Sequence, residues 1–282
     1  MYERLWVISF AIFVAALPLG AAHAIILSAL RKAEREGTPG WLVWLRRAAN
    51  AAIGLGFLGL TATLVVRWIE AGYPPFSNMP ESLLWMAWAL CAVYFVARLF
   101  ADFTGLEAGA CVGVLAVLAV SCLSSHAPRP LMPALKSNWL IFHVLTCMIS
   151  YGAFLAAFLM AVLWLVAWRK RESGKTVDAL IYQTMAFGFL LLTVGIVSGA
   201  IWARQAWGRY WGWDNKETWS LITWLVYGIY LHFRLMSGSL RIPRERLPLV
   251  NAIFGTLGFA FTVFTYFGVS YLLPSLHSYA SR

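Results

Sequence analysis

The chain reads as an all-α protein, a polytopic membrane helix bundle of about eight transmembrane helices, and three observations carry that reading. Of its 282 residues, 61% are hydrophobic and 12% charged, against about 25% charged in a typical soluble domain, and the mean hydropathy is +0.72. Apolar runs of crossing length, about 20 residues for a hydrocarbon core of about 30 Å, recur along the chain with short polar gaps. Strand alternation is absent, and an open sheet would leave its edge groups unsatisfied in lipid. Length alone suggests about two domains. The even spread of apolar runs points instead to a single membrane domain over 1–282, with an external tryptophan-rich loop at 201–219.

The eight segments fall near 5–30, 48–69, 82–101, 107–123, 138–168, 179–203, 216–236 and 248–273. The first is too long for the apolar stretch of a secretory signal and is read as a span. The fourth is short and the fifth long. Lys and Arg orient the chain, because basic loops stay on the cytoplasmic side. One set of loops and helix ends, including Arg31, Arg46, Arg47, Arg98, Arg169, Arg234 and Arg241, holds 14 of the 22 basic residues, and the alternate set holds 8. Both termini are therefore expected outside. The formal charge of +10 does not imply nucleic acid, since the basic residues sit in short inter-helix loops and form no independent surface. Membrane lipids are the expected surroundings.

Cys91, Cys111, Cys122 and Cys147 lie in or beside apolar runs with no CxxC pair, which argues against a zinc site or a dithiol exchange motif. They read as core cysteines.

The most unusual stretch is 201–234, IWARQAWGRYWGWDNKETWSLITWLVYGIYLHFR. Trp202, Trp207, Trp211, Trp213, Trp219 and Trp224 put six tryptophans in 23 residues, interleaved with Gly208 and Gly212. An interfacial aromatic belt accounts for a pair of tryptophans. Six with intervening glycines fit a platform for a planar apolar ligand better, because glycine lets a flat body approach the backbone. Asp214 and Glu217 could be paired carboxylates for acid–base work, but the spacing D-N-K-E is that of an N-cap and its N3 partner. The same device recurs at Asn78-Met79-Pro80-Glu81, with Pro in the first turn.

Histidine is the commonest side-chain ligand for iron or zinc. His143 lies at the outer end of the fifth segment, with Trp139 and Cys147 four residues to either side on one helix face, and His277 follows Pro274 just beyond the eighth. Both can flank the tryptophan loop. His232 lies 17 residues after Asn215, about 25 Å down the seventh helix, near the inner boundary. Each alone is more readily a packed or interfacial residue than a ligand. Together they form a candidate set, since ionisable groups at membrane depth are functional candidates by default. His126 reads as a solvated loop residue and His23 as a structural one. A permease for some other solute is disfavoured, because no pairing of the inner charges along a pathway is visible.

The segment WGRYWGWDNKETWSLITW followed by YLHFR resembles the tryptophan-rich WWD signature of the system II cytochrome c biogenesis proteins, the CcsA or ResC haem-handling type of bacteria and plastids. The resemblance extends through PPFSNMPESL, LMPALKSNWLIFHV and LHSY, roughly 72–279. It implies a protein of the bacterial cytoplasmic membrane that exports haem b and acts within a cytochrome c synthase (haem lyase) complex. That complex joins haem by thioether bonds to the CxxCH of apocytochrome c. By the same resemblance, His143 and His277 ligate external haem, Trp207, Gly208, Trp211, Trp213 and Asp214 cradle the porphyrin, and His232 serves an inner haem site. The chain lacks the external domain and second inner histidine of fused family members, so a separate CcsB or ResB-type subunit is expected. A haem transporter without ligase chemistry and a purely structural membrane subunit are the competing readings.

Overall fold

The structure is a computed structural model and describes residues 1–33, 38–100, 104–123, 133–165, 174–240, 243 and 246–273. Among these there is no strand. The long helices are α1 (Tyr2–Lys32), α2 (Gly40–Ala71), α3 (Met79–Phe100), α4 (Leu106–Ser121), α5 (Asn138–Leu163), α6 (Gly174–Trp207), α7 (Asn215–Met236) and α8 (Leu247–Val263). A π turn, Phe264–Gly268, joins α8 to the short α9 (Val269–Leu272). Over its described residues each expected segment is helical to within two residues of its ends. Six rods are long and apolar enough to cross a membrane: α1, α2, α3, α5, most of α6, and the continuous α8 to α9 rod. The protein is a multi-pass membrane helix bundle. α4, with 16 residues, spans only about 24 Å. α7 has 22 residues but carries Lys216, Glu217, His232 and Arg234 along its length.

The helix ends follow local chemistry. α2 stops at Gly72, whose left-handed backbone (φ 74°) returns its N–H to the Trp68 carbonyl, a conformation glycine adopts without a Cβ penalty. α5 opens on Ser137, whose hydroxyl accepts the Trp139 amide at 3.2 Å. α3 opens on Asn78, whose side chain accepts the Glu81 amide at 3.0 Å. Glu81 reaches back to the Ser77 amide at 2.7 Å with one oxygen and pairs with buried Arg67 through the other.

α5 is the central helix, lined on its inward faces by Gly152, Ala153, Phe154, Ala156, Ala157 and Ala161, all buried. Small residues let helices approach closely in a membrane, where hydrophobic segregation between helices is weak. α5 packs most extensively against α6, and α1 against α2. Phe154 stacks on Tyr227 of α7 at 3.6 Å between centroids.

The helices alternate in direction, which gives the bundle two ends. One carries the loop between α6 and α7, with the start of α3, the start of α5 and the end of α8 around it; we call it the loop end. At the other, basic end, Arg46 and Arg98 meet Glu107 at 3.1 and 3.7 Å. There too Arg234 meets Asp178 at 2.7 Å. Asp178 also accepts from Asn251, which accepts the Tyr230 hydroxyl at 2.6 Å. Arg46, Arg98 and Arg234 are thus paired at this end, in clusters that tie helices together rather than along a pathway. Arg46 and Arg234 lie 61 and 56 positions from their carboxylates, so no local spacing betrays those two pairs.

Candidate functional site

The loop end holds a cleft that is open to solvent on one side. Its walls are the start of α3 (Asn78, Met79, Ser82), one face of α5 (His143, Cys147, Tyr151), the last turns of α6 (Ile196, Gly199, Trp202), Tyr210 and Trp211 of the loop, the first turns of α7 (Lys216, Glu217, Ser220) and Tyr266 of the π turn. A π turn widens a helix by one residue and recurs at functional sites. Here it coincides with the cleft wall, and Tyr266 reaches Ser82 and the Met79 carbonyl of α3.

His143 is half-buried in the α5 wall. Its Nδ1 lies 2.7 Å from the Gly195 carbonyl oxygen of α6. A carbonyl only accepts, so in the neutral ring Nδ1 carries the proton and the lone pair resides on Nε2. Behind the ring stands Gly199, where a Cβ would lie 2.6 Å from Nδ1; at Gly195 a Cβ would lie 2.6 Å from Cys147 Sγ. Trp202, 1% exposed, stacks near the imidazole at 6.0 Å and 15°. Its indole N–H donates to the Ala134 carbonyl at 2.9 Å. The ring is therefore fixed in tautomer and orientation by two glycines and a tryptophan. The G-x-x-x-G spacing of 195 and 199 is visible in the sequence and is a helix-packing pattern. That it cradles His143 is not visible there.

Helix α6 continues through Trp207, so the non-helical connection is only 208–214, shorter than the expected 201–219. No breaker occurs before Gly208, whose positive φ of 79° ends the helix with its N–H on the Arg204 carbonyl. Gly208 is thus a helix terminator, and Gly212 is where the Arg209 guanidinium packs, 2.5 Å from a built Cβ. α7 opens with the expected capping box: Asp214 accepts from the first turn, the Lys216 amide at 3.3 Å, and Glu217 accepts the Asp214 amide at 3.0 Å. Glu217 also accepts the Gly212 amide at 2.7 Å, so one carboxylate holds both ends of the tight turn.

The six tryptophans do not form one platform. Trp202 and Trp211 line the cleft. Trp207 packs edge-on against Trp202 at 4.8 Å. Trp213 is 69% exposed, at a positive φ of 56°, and meets Trp211 edge-on at 5.7 Å. Trp219 and Trp224 pack into the bundle, on Phe264 and Phe189. Of the residues expected to hold a ligand, His143 and Trp211 thus share the cleft wall. Trp207, Gly208, Trp213 and Asp214 shape the loop around it. Trp139 is exposed and is not among the residues that wall the cleft.

His277 and His126 lie outside the described residues. His23 is buried in α1. His232 is exposed on α7, on the stripe of Leu225, Ile229 and Met236, with Tyr227 and Tyr230 buried on the opposite stripe. In lipid the aliphatic stripe faces outward, the reverse of a soluble helix. No group of three or more His, Cys, Asp or Glu arranged for a metal ion occurs among the described residues.

Residues 76–277 match the family model described as Cytochrome C assembly protein. The chain is 40% identical to the cytochrome c biogenesis protein CcsA of Guillardia theta, over 80% of this chain and 83% of that one. It is 34% identical to CcsA of Synechocystis sp., over 84% and 89%. Among solved structures it is similar to the cytochrome c haem lyase CcmF, with a TM-score of 0.67 and 18% identity. That match takes in 98% of this chain and 48% of CcmF, so the chain spans about half the length of that protein and shares its fold. The chain belongs to the CcsA family of cytochrome c biogenesis proteins.

Proposed function

We propose that the chain receives haem b, holds it in the cleft at the loop end, and presents it to the CxxCH motif of apocytochrome c for thioether attachment. The observation that carries this is His143, whose Nδ1 proton is committed to the Gly195 carbonyl at 2.7 Å. Iron-ligating histidines use the second ring nitrogen in this way, with the other N–H given to a carbonyl or carboxylate. The cleft fits a macrocycle in character, since rings and aliphatic side chains wall it and a tryptophan indole N–H, that of Trp211, is buried without an acceptor among the described residues.

His277 is the proposed second axial ligand. Ser270 lines the cleft and His277 follows seven residues later. Trp207, Trp211 and Trp213, with Gly208 and Asp214 fixing the turn, are proposed to flank the bound ring. His232, at the basic end, is proposed to serve haem entry. Its exposure supports a site completed by a CcsB or ResB-type subunit. By the positive-inside rule, the basic end faces the cytoplasm and the cleft the outside of a bacterial cytoplasmic membrane.

The chemistry asks for positioning more than acid–base work. Each substrate cysteine adds its S–H across a haem vinyl group, forming a C–S bond and leaving the hydrogen on the neighbouring carbon. Holding the ring beside the peptide raises the effective concentration of the thiols. The histidine of CxxCH can then replace one axial imidazole and release the product.

Replacing His143 by Gly, in membranes that also contain the partner subunit, is expected to abolish the Soret band of bound haem and holocytochrome c formation. Added imidazole is expected to restore part of both by filling the ligand position. Full haem content and full assembly in His143→Gly would overturn the proposal. Haem retained by the wild type with no thioether product would reduce the function to haem delivery.

A further inference from the structure

Lys216 is the one ammonium group in the cleft wall among the described residues. It sits in the first turn of α7 with its Nζ 5.8 Å from the centre of the Tyr266 ring. No carboxylate among the described residues lies within ion-pair distance of it. The two carboxylates beside it in sequence have other work: Asp214 accepts the Lys216 backbone amide, and Glu217 accepts the amides of Gly212 and Asp214. The buried and half-buried cations elsewhere are treated differently. Arg67 has Glu81, Arg46 and Arg98 share Glu107, and Arg234 has Asp178.

A cation drawn away from water wants an anion, and a ring face compensates it only in part. A second donor in the same wall, the Trp211 indole N–H, also lacks an acceptor among the described residues. A cleft that is apolar on most sides yet offers an ammonium group suits a guest that is apolar over most of its body and anionic at one edge.

We propose that Lys216 is the carboxylate-recognising residue of this cleft. Resting on the reading of the cleft as a haem site, this assigns to Lys216 a haem propionate. His143 would read the iron and Lys216 one edge. Two points of attachment stop the disc from turning in its own plane, which one axial bond cannot do. In haem the propionates and the vinyl groups occupy opposite edges. Fixing the propionate edge at Lys216 therefore sets the vinyl edge, where the thiols add, on the side away from it. Lys216 is in this sense a positioning residue.

The test uses the purified full chain in detergent, titrated with iron protoporphyrin IX and with its dimethyl ester, in which both propionates are masked. The Soret band reports binding. The wild type is expected to bind the diacid at least about tenfold more tightly than the diester, the scale of one charge-assisted hydrogen bond. Lys216→Met is expected to lose that preference by weakening the diacid alone, and Lys216→Arg to keep most of it. Equal affinity of the wild type for both porphyrins, or a preference that survives in Lys216→Met, overturns the inference. The wild-type comparison decides even if the methionine variant fails to fold. If the wild type binds both porphyrins equally through His143, the haem reading stands and the role of Lys216 falls. Binding of neither overturns both.

Discussion

Helix α7 carries a cation near each end, and the two are treated in opposite ways. Near the basic end, Arg234 is held by Asp178 at 2.7 Å and lies over the Tyr182 ring at 5.2 Å, and Asp178 is held in turn by Asn251. At the loop end, Lys216 faces a cleft and a ring, with no carboxylate within ion-pair distance among the described residues. The same helix therefore closes three helices together at one end and leaves a charge open at the other. A bundle whose charges were all structural would pair both. The difference separates the part of the molecule that holds the fold from the part shaped around something else, and it does so within 22 residues of one helix.

The largest expected effect breaks the paired end. Asp178→Ala leaves Arg234 without its carboxylate and removes an acceptor from Asn251. Stranding a buried charge in this way costs about 3–5 kcal/mol, measured as lost resistance to unfolding in detergent. Removing both partners, Asp178→Leu with Arg234→Met, is expected to recover much of that loss, because apolar pairs of similar volume replace buried ion pairs at little cost. Lys216→Met, by contrast, is expected to leave stability unchanged or slightly raised. A loss at Lys216 as large as at Asp178 would erase the distinction between the two ends.

A second experiment sharpens the comparison from the histidine side. Alanine favours a helix over glycine by about 1 kcal/mol, so Gly→Ala in α7 at Gly228, where a Cβ would meet Phe189 at an ordinary 3.5 Å, is expected to be neutral or stabilising. At Gly199 the new methyl would press on the His143 ring at 2.6 Å. Overpacking of that kind costs about 1–3 kcal/mol and is expected to outweigh the propensity gain. It should also move the ring away from the Gly195 carbonyl and depress the Soret band of bound haem. Unchanged haem binding in Gly199→Ala would show that the imidazole orientation is not critical.

The capping box gives smaller numbers. Asp214→Ala is expected to cost about 0.5–2 kcal/mol, and Asp214→Asn little, since asparagine caps as well as aspartate. Haem content and covalent cytochrome c are to be measured side by side in Asp214→Asn. Haem retained with attachment lost would assign the carboxylate a part beyond capping.

Much of this arrangement was legible in the sequence, and what escaped it has physical reasons. Apolar runs marked the helices, because length and hydropathy alone decide what can cross lipid, and the caps at Asp214 and Asn78 were readable because capping is local chemistry, although Glu81 returns to the Ser77 amide and not to that of Asn78. Helix α6 overran its expected end at 203, since tryptophan and arginine do not stop a helix and Gly208 does. Depth along α7 followed from helix rise, but the bearing of His232 did not, because in lipid an aliphatic stripe faces outward and drags its histidine with it. Lys216 counted only as one loop charge among eight. Its setting depends on Tyr266, 50 positions away, and on a π turn that no local pattern announces. Likewise the Gly195 and Gly199 pair stood in view, while the imidazole it holds lies on another helix.

The smallest expected effect on stability is at Trp213, and there stability and function should part. The side chain is 69% exposed, so little packing is lost on removing it. Its backbone is left-handed, φ 56°, a conformation that costs a residue with a Cβ about 1–2 kcal/mol and glycine almost nothing, although glycine loses about 0.5–1 kcal/mol more in chain entropy on folding. The two terms nearly cancel, so Trp213→Gly is expected to unfold within about 1 kcal/mol of the wild type, and Trp213→Ala, which keeps the strain and loses the ring, slightly below it. An exposed aromatic held at a strained position is poorly explained by folding, and such strain gathers at sites of function. Holocytochrome c formation is accordingly expected to fall in both variants alike, whatever their order in stability. If assembly instead tracks stability, with Trp213→Gly fully active, the indole is an interfacial anchor and the working wall of the cleft ends at Trp211.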